Sequence, residues 1–490
     1  MTRRWFLPEL RISKRDFLKL AAAAALAPVA SAASNLNATE WSSPPNVVLI
    51  CTDDLGYGDL SCYGSSISFN RRVRGRDIGS SGSSIHTPNL DRMAQEGALL
   101  RHCNAAGPVC TPSRAGLLTG RYPVRVGIVD VLFPNDTIGM PASEVTIAGM
   151  LKPLGYKTIC IGKWHLGSQP QFLPTNHGFD EFYGLPYSHD MPPQPLMHNT
   201  DVIEQPADMT TLTRRYTEKA VSFIENNKNS PFFLYMAHFQ PHIPLIVSQP
   251  FRGKSGLGAY GDAVLEVDWS VGQVMKALTD NGLDSNTLIM FTSDHGPWYQ
   301  GSSADLRGRK GDTFEGGVRV PFIARFPGRI PRGFVSQELA SNMDVLPTVA
   351  DLCGALPANP LDGVSIWPLL TGQETAVRRD VLLYFDCRHL QCARFATWKL
   401  HVARYNSDPW GPQPASGRMN LPLRKPELYL LNLDPGERYD VADDNPDVVS
   451  GIMERIEALM PTFPSEVRYD WSSTMSLKAG DIPSGALPSP

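Results

Sequence analysis

Cys110-Thr111-Pro112-Ser113-Arg114, running through a short apolar stretch to Leu118-Thr119-Gly120-Arg121, is the segment from which the rest of the chain can be read. Pro112 suits the first position of a helix and Thr111 the cap before it, since a first-turn residue needs no backbone N–H and a threonine hydroxyl accepts one. The helix is expected to run to Gly120. Cys110 then stands at a helix N-terminus, where backbone donors and the helix dipole favour an anion. Arg114 follows about one helical turn later. The plainer reading of the same residues is a helix start with a buried cysteine.

Four apolar runs elsewhere end in residues able to do chemistry. Asn46-Val47-Val48-Leu49-Ile50-Cys51 leads into Asp53 and Asp54, and Thr158-Ile159-Cys160-Ile161 into Lys163-Trp164-His165. Phe232-Phe233-Leu234-Tyr235-Met236 leads to His238 and His242, and Leu288-Ile289-Met290-Phe291 to Asp294-His295. Short unbroken apolar runs read as strands buried on both faces. In open α/β sheets, ligands bind beyond the carboxyl ends of such strands. Val264, Val267, Val271, Val274 and Leu278 recur at helical spacing and stop at Asn281-Gly282. Strands alternating with helices predict one large α/β layer over residues 44–375.

Beyond residue 375 the pattern changes. Leu382 to Phe385, Cys392 to Thr397, Lys399 to Ala403 and Leu428 to Leu431 read as short strands, followed by a helix from Val448 to Met460. A small C-terminal antiparallel sheet with one helix is expected over 376–465, and a Ser/Pro-rich tail over 466–490.

The 490 residues leave room for a large core, and a net charge of -4 argues against nucleic acid as a partner. Forty-two prolines and 41 glycines fit a loop-rich enzyme better than a helical bundle. No run after the N-terminus is long and apolar enough to span a membrane. Residues 1–32 read as an export signal of twin-arginine type, with Ser13-Lys14-Arg15-Asp16-Phe17-Leu18-Lys19 before an Ala/Leu run and Ala30-Ser31-Ala32 as the cleavage pattern. This predicts a periplasmic or secreted protein. Eight cysteines do not make a disulfide scaffold in a chain this long, although Cys387 and Cys392 are close enough to bridge a hairpin. Cys51 and Cys160 read as buried apolar residues.

Asp53 and Asp54 are adjacent acids after a buried strand. Two neighbouring carboxylates repel unless a cation neutralises them, so a divalent metal is the natural partner. Oxygen ligands favour Ca²⁺ or Mg²⁺ over zinc or copper. Asp294, at another strand end, is the expected distal ligand.

The Cys-x-Pro-Ser-Arg and Thr-Gly-Arg elements resemble the signature of the formylglycine-dependent sulfatases, arylsulfatase-like. Thr87-Pro88-Asn89-Leu90-Asp91, Gly162-Lys163-Trp164-His165-Leu166-Gly167, Pro186-Tyr187-Ser188-His189-Asp190 and Glu315-Gly316-Gly317-Val318-Arg319 are similar to further elements of that family, in its order. Leu428 to Asp440, with its Asp434-Pro435-Gly436-Glu437 turn, extends the likeness into the C-terminal part. The resemblance implies an alkaline-phosphatase-like α/β fold with a large mixed sheet and flanking helices. It also implies hydrolysis of sulfate monoesters (aryl sulfate or sulfated carbohydrate) to alcohol and inorganic sulfate. A formylglycine-generating maturation enzyme would oxidise Cys110 to 3-oxoalanine. Its hydrate carries two hydroxyls on one carbon, one to attack sulfur and one to expel sulfate.

Carried over residue by residue, Asp53, Asp54, the modified Cys110, Asp294 and His295 would hold the metal, Ca²⁺ by similarity. His295 stands where the family usually has Asn, and nitrogen is an unusual ligand for Ca²⁺. Arg114 would hold the hydrate, while Lys163 and Lys310 would clamp sulfate oxygens. His165 would take the second hydroxyl's proton, and His242 would bind sulfate and protonate the leaving alcohol. Ser188 would contact sulfate, and Asp294 would take the nucleophile's proton. His238 is expected behind the site. Tyr187, Trp298, Tyr299 and Trp410 are candidate wall residues for the leaving group. The arginine-rich insertion between Ile67 and Ser84 departs from the family; it reads as a solvated loop or as a steering patch for a polyanion. The alternative activities are a phosphodiesterase or phosphonate hydrolase of the same superfamily and, from another class, a non-catalytic glycan-binding relic.

Overall fold

The computed structural model describes residues 43–64, 72–73, 76–77, 85–373, 379–414 and 417–477. The export segment, the tail beyond residue 477 and most of the arginine-rich insertion lie outside these residues. Within the insertion only a two-stranded hairpin, Arg72–Val73 with Arg76–Asp77, is described.

Ten strands make one mixed sheet. In chain order they are β1 (Asn46–Thr52), β2 (Ala98–Asn104), β3 (Lys157–Lys163), β4 (Glu181–Leu185), β5 (Leu196–His198), β6 (Asp201–Glu204), β7 (Phe232–Ala237), β8 (Thr287–Ser293), β9 (Arg319–Arg325) and β10 (Phe334–Ser341). Their spatial order is β10-β2-β9-β8-β1-β7-β3-β4-β5-β6. The central strands β8, β1, β7, β3 and β4 run parallel. Antiparallel pairs join β9 to β8 and β2 on one side and β5 to β4 and β6 on the other. Strands β1, β7 and β8 are buried along their whole length, as their unbroken apolar runs require.

Register sets where the strands end. Thr52 lies opposite Ser293, Cys51 opposite Ala237, and Ala237 opposite Gly162. Four chain segments far apart in sequence therefore leave the sheet at one level and at adjacent positions. At Gly162 the neighbouring backbone leaves no room for a side chain. At φ 104° a Cβ there would sit 1.9 Å from the Ala237 carbonyl oxygen, so only glycine fits.

Helices cover the sheet. The described helices of eight residues or more are α1 (Pro88–Gln95), α2 (Cys110–Thr119), α3 (Met209–Asn226), α4 (Gly258–Asp280), α5 (Val345–Cys353), α6 (Pro446–Leu459) and α7 (Ser465–Ser476). In α4 the expected stripe Val264, Val267, Val271, Val274 and Leu278 is buried, and Asn281 and Gly282 end the helix.

The start of α2 differs from expectation. Val109 is the capping residue and Cys110 already has helical backbone, two residues before the predicted start. The first four N–H groups of a helix lack an intrahelical partner, so Pro112 is tolerated anywhere in that turn. The Thr111 hydroxyl does not cap; it accepts from the Leu132 N–H at 3.2 Å. The C-terminal end is as predicted, with Gly120 at φ 69°.

A second sheet comprises β11 (Leu382–Asp386), β12 (His389–Phe395), β13 (Trp398–Tyr405) and β14 (Asn420–Leu430), antiparallel throughout. Helix α6 packs on it as expected. Residues 466–476, read as tail, instead belong to α7, which buries Val467, Trp471 and Thr474 against the same core. That core also takes in Ala106, Tyr122, Val318 and Met343 from the larger part. All eight cysteines are free: Cys392 is buried in β12, and no bridge to Cys387 forms. Among the described residues no helix is long and apolar enough to cross a membrane.

Candidate active site

The aligned strand ends bring most of the predicted residues together. Asp53 and Asp54 follow β1, Lys163 closes β3 with His165 just beyond, Asp294 and His295 follow β8, and His242 follows β7. The N-terminus of α2 adds Cys110, whose Sγ lies 3.6 Å from Asp53 Oδ1 and 3.3 Å from His295 Nε2. All of these side chains are buried. Asp54 and His165 adopt left-handed backbone, at φ 61° and 58°, a conformation that Asp and His tolerate better than most residues.

Three cations face the carboxylates. Lys163 Nζ donates to Asp53 Oδ2 at 2.6 Å and to Ser188 Oγ at 3.1 Å, which places Ser188 in the site. Lys310 Nζ donates to Asp54 Oδ1 at 2.8 Å. Arg114 is the third. Its guanidinium contacts Asp294 Oδ2 at 3.0 Å, Asp53 Oδ1 at 3.5 Å and the Lys163 carbonyl at 3.1 Å, so it braces the acids. Burial alone would raise the Asp53 pKa, but Lys163, His242 and Arg114 outweigh it and hold Asp53 well below the carboxylate range. At Asp54 burial wins and the pKa rises. Burial also opposes charge on Lys163 and Lys310, and their carboxylate partners reverse that, raising both.

Hydrogen bonds to carbonyls fix three histidine tautomers, because a carbonyl oxygen can only accept. His165 Nε2 donates to the Leu132 carbonyl at 2.9 Å, leaving Nδ1 buried with no partner. Burial, Lys163 and Arg114 hold its pKa well below 6.5. His242 Nδ1 donates to the Ile243 carbonyl, and its Nε2 stands 3.7 Å from Asp54 Oδ2. His295 Nδ1 donates to the Gly296 carbonyl at 2.9 Å. That turns its Nε2 toward Asp54 Oδ1 at 3.4 Å and Asp294 Oδ1 at 3.6 Å.

This donor set fits a divalent cation. Ligand atoms of Asp53, Cys110, Asp294 and His295 lie within 4.8 Å of one another, as do those of Asp53, Asp54, Cys110 and His242. Asp54 Oδ2 is buried without a hydrogen-bond partner. A carbonyl bonded to the far ring nitrogen is the usual way a protein orients a ligating imidazole. Against burial, Asp294 and Cys110 raise the His295 pKa to about 9.

His238 is buried with neither ring nitrogen hydrogen-bonded, and burial lowers its pKa to about 4. Tyr187 is buried, whereas Tyr299 and Trp410 are exposed.

Some supporting contacts were not legible in the sequence. Ser113 Oγ donates to the Asp294 carbonyl and steadies that strand end. The Leu132 carbonyl that orients His165 is a backbone group and leaves no residue-type signal. Two elements singled out above without a role also meet: the Glu315 N–H donates to Glu437 Oε2 at 2.6 Å. Glu315 accepts from Arg319 at 2.6 Å, Lys399 at 3.0 Å and Arg394 at 3.3 Å, and Lys399 also donates to the Thr313 carbonyl at 2.7 Å. This buried network anchors the segment that carries Lys310 to the second sheet. Glu315→Gln would leave three buried cations without their shared acid. It is expected to cost about 3–5 kcal/mol, against at most about 1 kcal/mol for Glu218→Gln at an exposed pair. Unfolding midpoints of the two variants measure the difference.

The model of the Sulfatase family matches residues 45–355. Bovine (Bos taurus) arylsulfatase A is 39% identical over 460 residues, covering 85% of this chain and 87% of that protein. Canine (Canis lupus familiaris) N-acetylgalactosamine-6-sulfatase is 35% identical over 474 residues, covering 85% and 87%. Among solved structures, the PsFucS1 sulfatase from Pseudoalteromonas sp. is similar with a TM-score of 0.75 at 28% identity, covering 86% of this chain and 91% of that one. With the family model covering the large sheet and its buried strand-end site, and relatives matching over 85% of the sequence, the chain belongs to the sulfatase family and is a sulfuric ester hydrolase.

Proposed function

We propose that the protein hydrolyses sulfate monoesters through a Cys110 oxidised to formylglycine, beside a Ca²⁺ ion held by Asp53, Asp54, Asp294, His295 and the oxidised side chain. The observation that carries this reading is the convergence of Cys110, three buried carboxylates and two lysines at the N-terminus of α2. When present, the hydrated aldehyde supplies a nucleophile that also releases itself, and the cation polarises the sulfate and the attacking oxygen. Lys163, Lys310 and Ser188 bind sulfate oxygens, the two ammonium groups working against charge that grows as the ester bond breaks. His242 gives a proton to the leaving alcohol. The free Nδ1 of His165 takes the proton that must leave before sulfate can depart. Arg114 keeps Asp53 and Asp294 in place.

The relatives' names support an aryl sulfate or a sulfated carbohydrate as substrate. A maturation enzyme that oxidises Cys110 follows from the same reading. Residues 1–32 support export, which would place the enzyme in the periplasm or outside the cell. The test compares 4-nitrophenyl sulfate with a 4-nitrophenyl phosphodiester. Faster turnover of the sulfate is expected, and the reverse order would favour the phosphodiesterase alternative.

Metal removal gives a second expected result. Chelation abolishes turnover and Ca²⁺ restores it, while Asp53→Asn and Asp54→Asn bind Ca²⁺ much more weakly by calorimetry. His295→Asn supplies an oxygen donor and should retain the ion, whereas His295→Ala should lose more affinity. Full activity in protein shown by elemental analysis to be metal-free would contradict the assignment.

A further inference from the structure

Three aromatic side chains beside Lys310 have no part in the chemistry above. Trp298 packs edge-on against both Tyr299 and Trp410, with centroids 5.0 Å apart in each pair and interplanar angles of 87° and 76°. Trp298 and Tyr299 follow β8, whereas Trp410 lies between β13 and β14, so each sheet contributes a wall. Trp410 Nε1 donates to the Lys310 carbonyl at 2.7 Å, and Lys310 Nζ lies 5.9 Å from the Trp298 ring centroid. The cluster is thus fixed to the residue whose ammonium group reaches Asp54.

Its outer surface is open. Tyr299 is 59% exposed and Trp410 46%. Single exposed aromatics are ordinary, whereas these rings are joined to one another and to a residue of the buried site. Arg309 puts a cation on its rim: the guanidinium lies 4.9 Å from the Tyr299 ring centroid and donates to the Trp298 carbonyl at 3.1 Å.

We infer that Trp298, Tyr299 and Trp410, with Arg309, form the leaving-group subsite for a sugar ring, an assignment that rests on the sulfate-ester reading. A pyranose offers an apolar C–H face to an aromatic ring and, at its edge, hydroxyls or a second anionic group for the guanidinium. A plain aryl or steryl group would use the rings and gain nothing from Arg309. The subsite therefore selects sulfated saccharides over small aryl sulfates.

Trp410→Ala and Tyr299→Ala are compared with the parent enzyme on 4-nitrophenyl sulfate and on disaccharides sulfated on N-acetylgalactosamine, N-acetylglucosamine or galactose. The readout is kcat/KM for the best disaccharide divided by that for 4-nitrophenyl sulfate. Any displacement of Lys310 on loss of the indole acts on both rates. The ratio is expected to fall at least about tenfold in each variant, mainly through KM, with Trp410→Phe keeping most of it. A ratio unchanged in both alanine variants overturns the subsite. So does a parent that turns over 4-nitrophenyl sulfate but none of the disaccharides, while the sulfatase reading stands. A parent that carries the aldehyde and turns over neither class overturns both.

Discussion

Replacing Cys110 by alanine is expected to lower kcat by at least about 10⁴-fold, because the side chain that attacks sulfur is gone and nothing nearby can substitute for it. The fold should survive. Cys110 is buried, its Sγ hydrogen-bonds Asp53 and His295 at 3.6 and 3.3 Å, and loss of one small atom costs about 1 kcal/mol or less. The circular dichroism spectrum and unfolding midpoint should match the parent closely. Cys110→Ser should be equally inactive if the maturation enzyme accepts only cysteine. Near-parental turnover by the alanine variant would remove the covalent mechanism.

Removal of His165 has a different expected signature. Its Nδ1 is the unpartnered base, so His165→Ala should leave sulfur–oxygen cleavage intact and stall the release of sulfate. With an aryl sulfate, about one equivalent of phenol per enzyme should appear in a burst, followed by turnover slowed about 10²- to 10⁴-fold. The transferred sulfate should remain on the protein, visible as added intact mass. Added to His165→Ala, Lys163→Ala or Lys310→Ala should instead slow the burst itself, since both ammonium groups act in the first step. If His165→Ala binds substrate yet shows neither burst nor added mass, His165 belongs with the sulfate-binding groups.

Sequence reading succeeded where one residue pattern has one physical meaning. Unbroken runs such as Val47 to Cys51 and Phe232 to Met236 had to be strands buried on both faces, and their polar ends had to share a site once those strands lay side by side. Strands β2 and β10 escaped notice because Arg101, His102, Gln337 and Glu338 interrupt their apolar character. Helix α7 was missed for a similar reason: among its serines and charged residues, only Val467, Trp471 and Thr474 are buried. The cap of α2 was misplaced because valine has no side-chain acceptor, so nothing at position 109 signals a helix start.

The site shows the same division. Asp53, Asp54, Cys110, Lys163 and Asp294 stood out by type and position, and Lys310 by the family resemblance; all six lie in one buried cluster. The Arg114 contacts could not be read off, because its distance along the helix from Cys110 does not say which way a long side chain will turn. Nor could the pairing of Glu315 with Glu437, which depends on how the second sheet packs.

The oxidation state of residue 110 is the most direct test. Purified active protein is digested, and the peptide spanning Cys110 is weighed before and after reaction with an aminooxy reagent. The account predicts a peptide in which CHO replaces CH₂SH and which the reagent converts to an oxime, in proportion to specific activity. An unmodified thiol throughout a preparation that hydrolyses 4-nitrophenyl sulfate at full rate would contradict it.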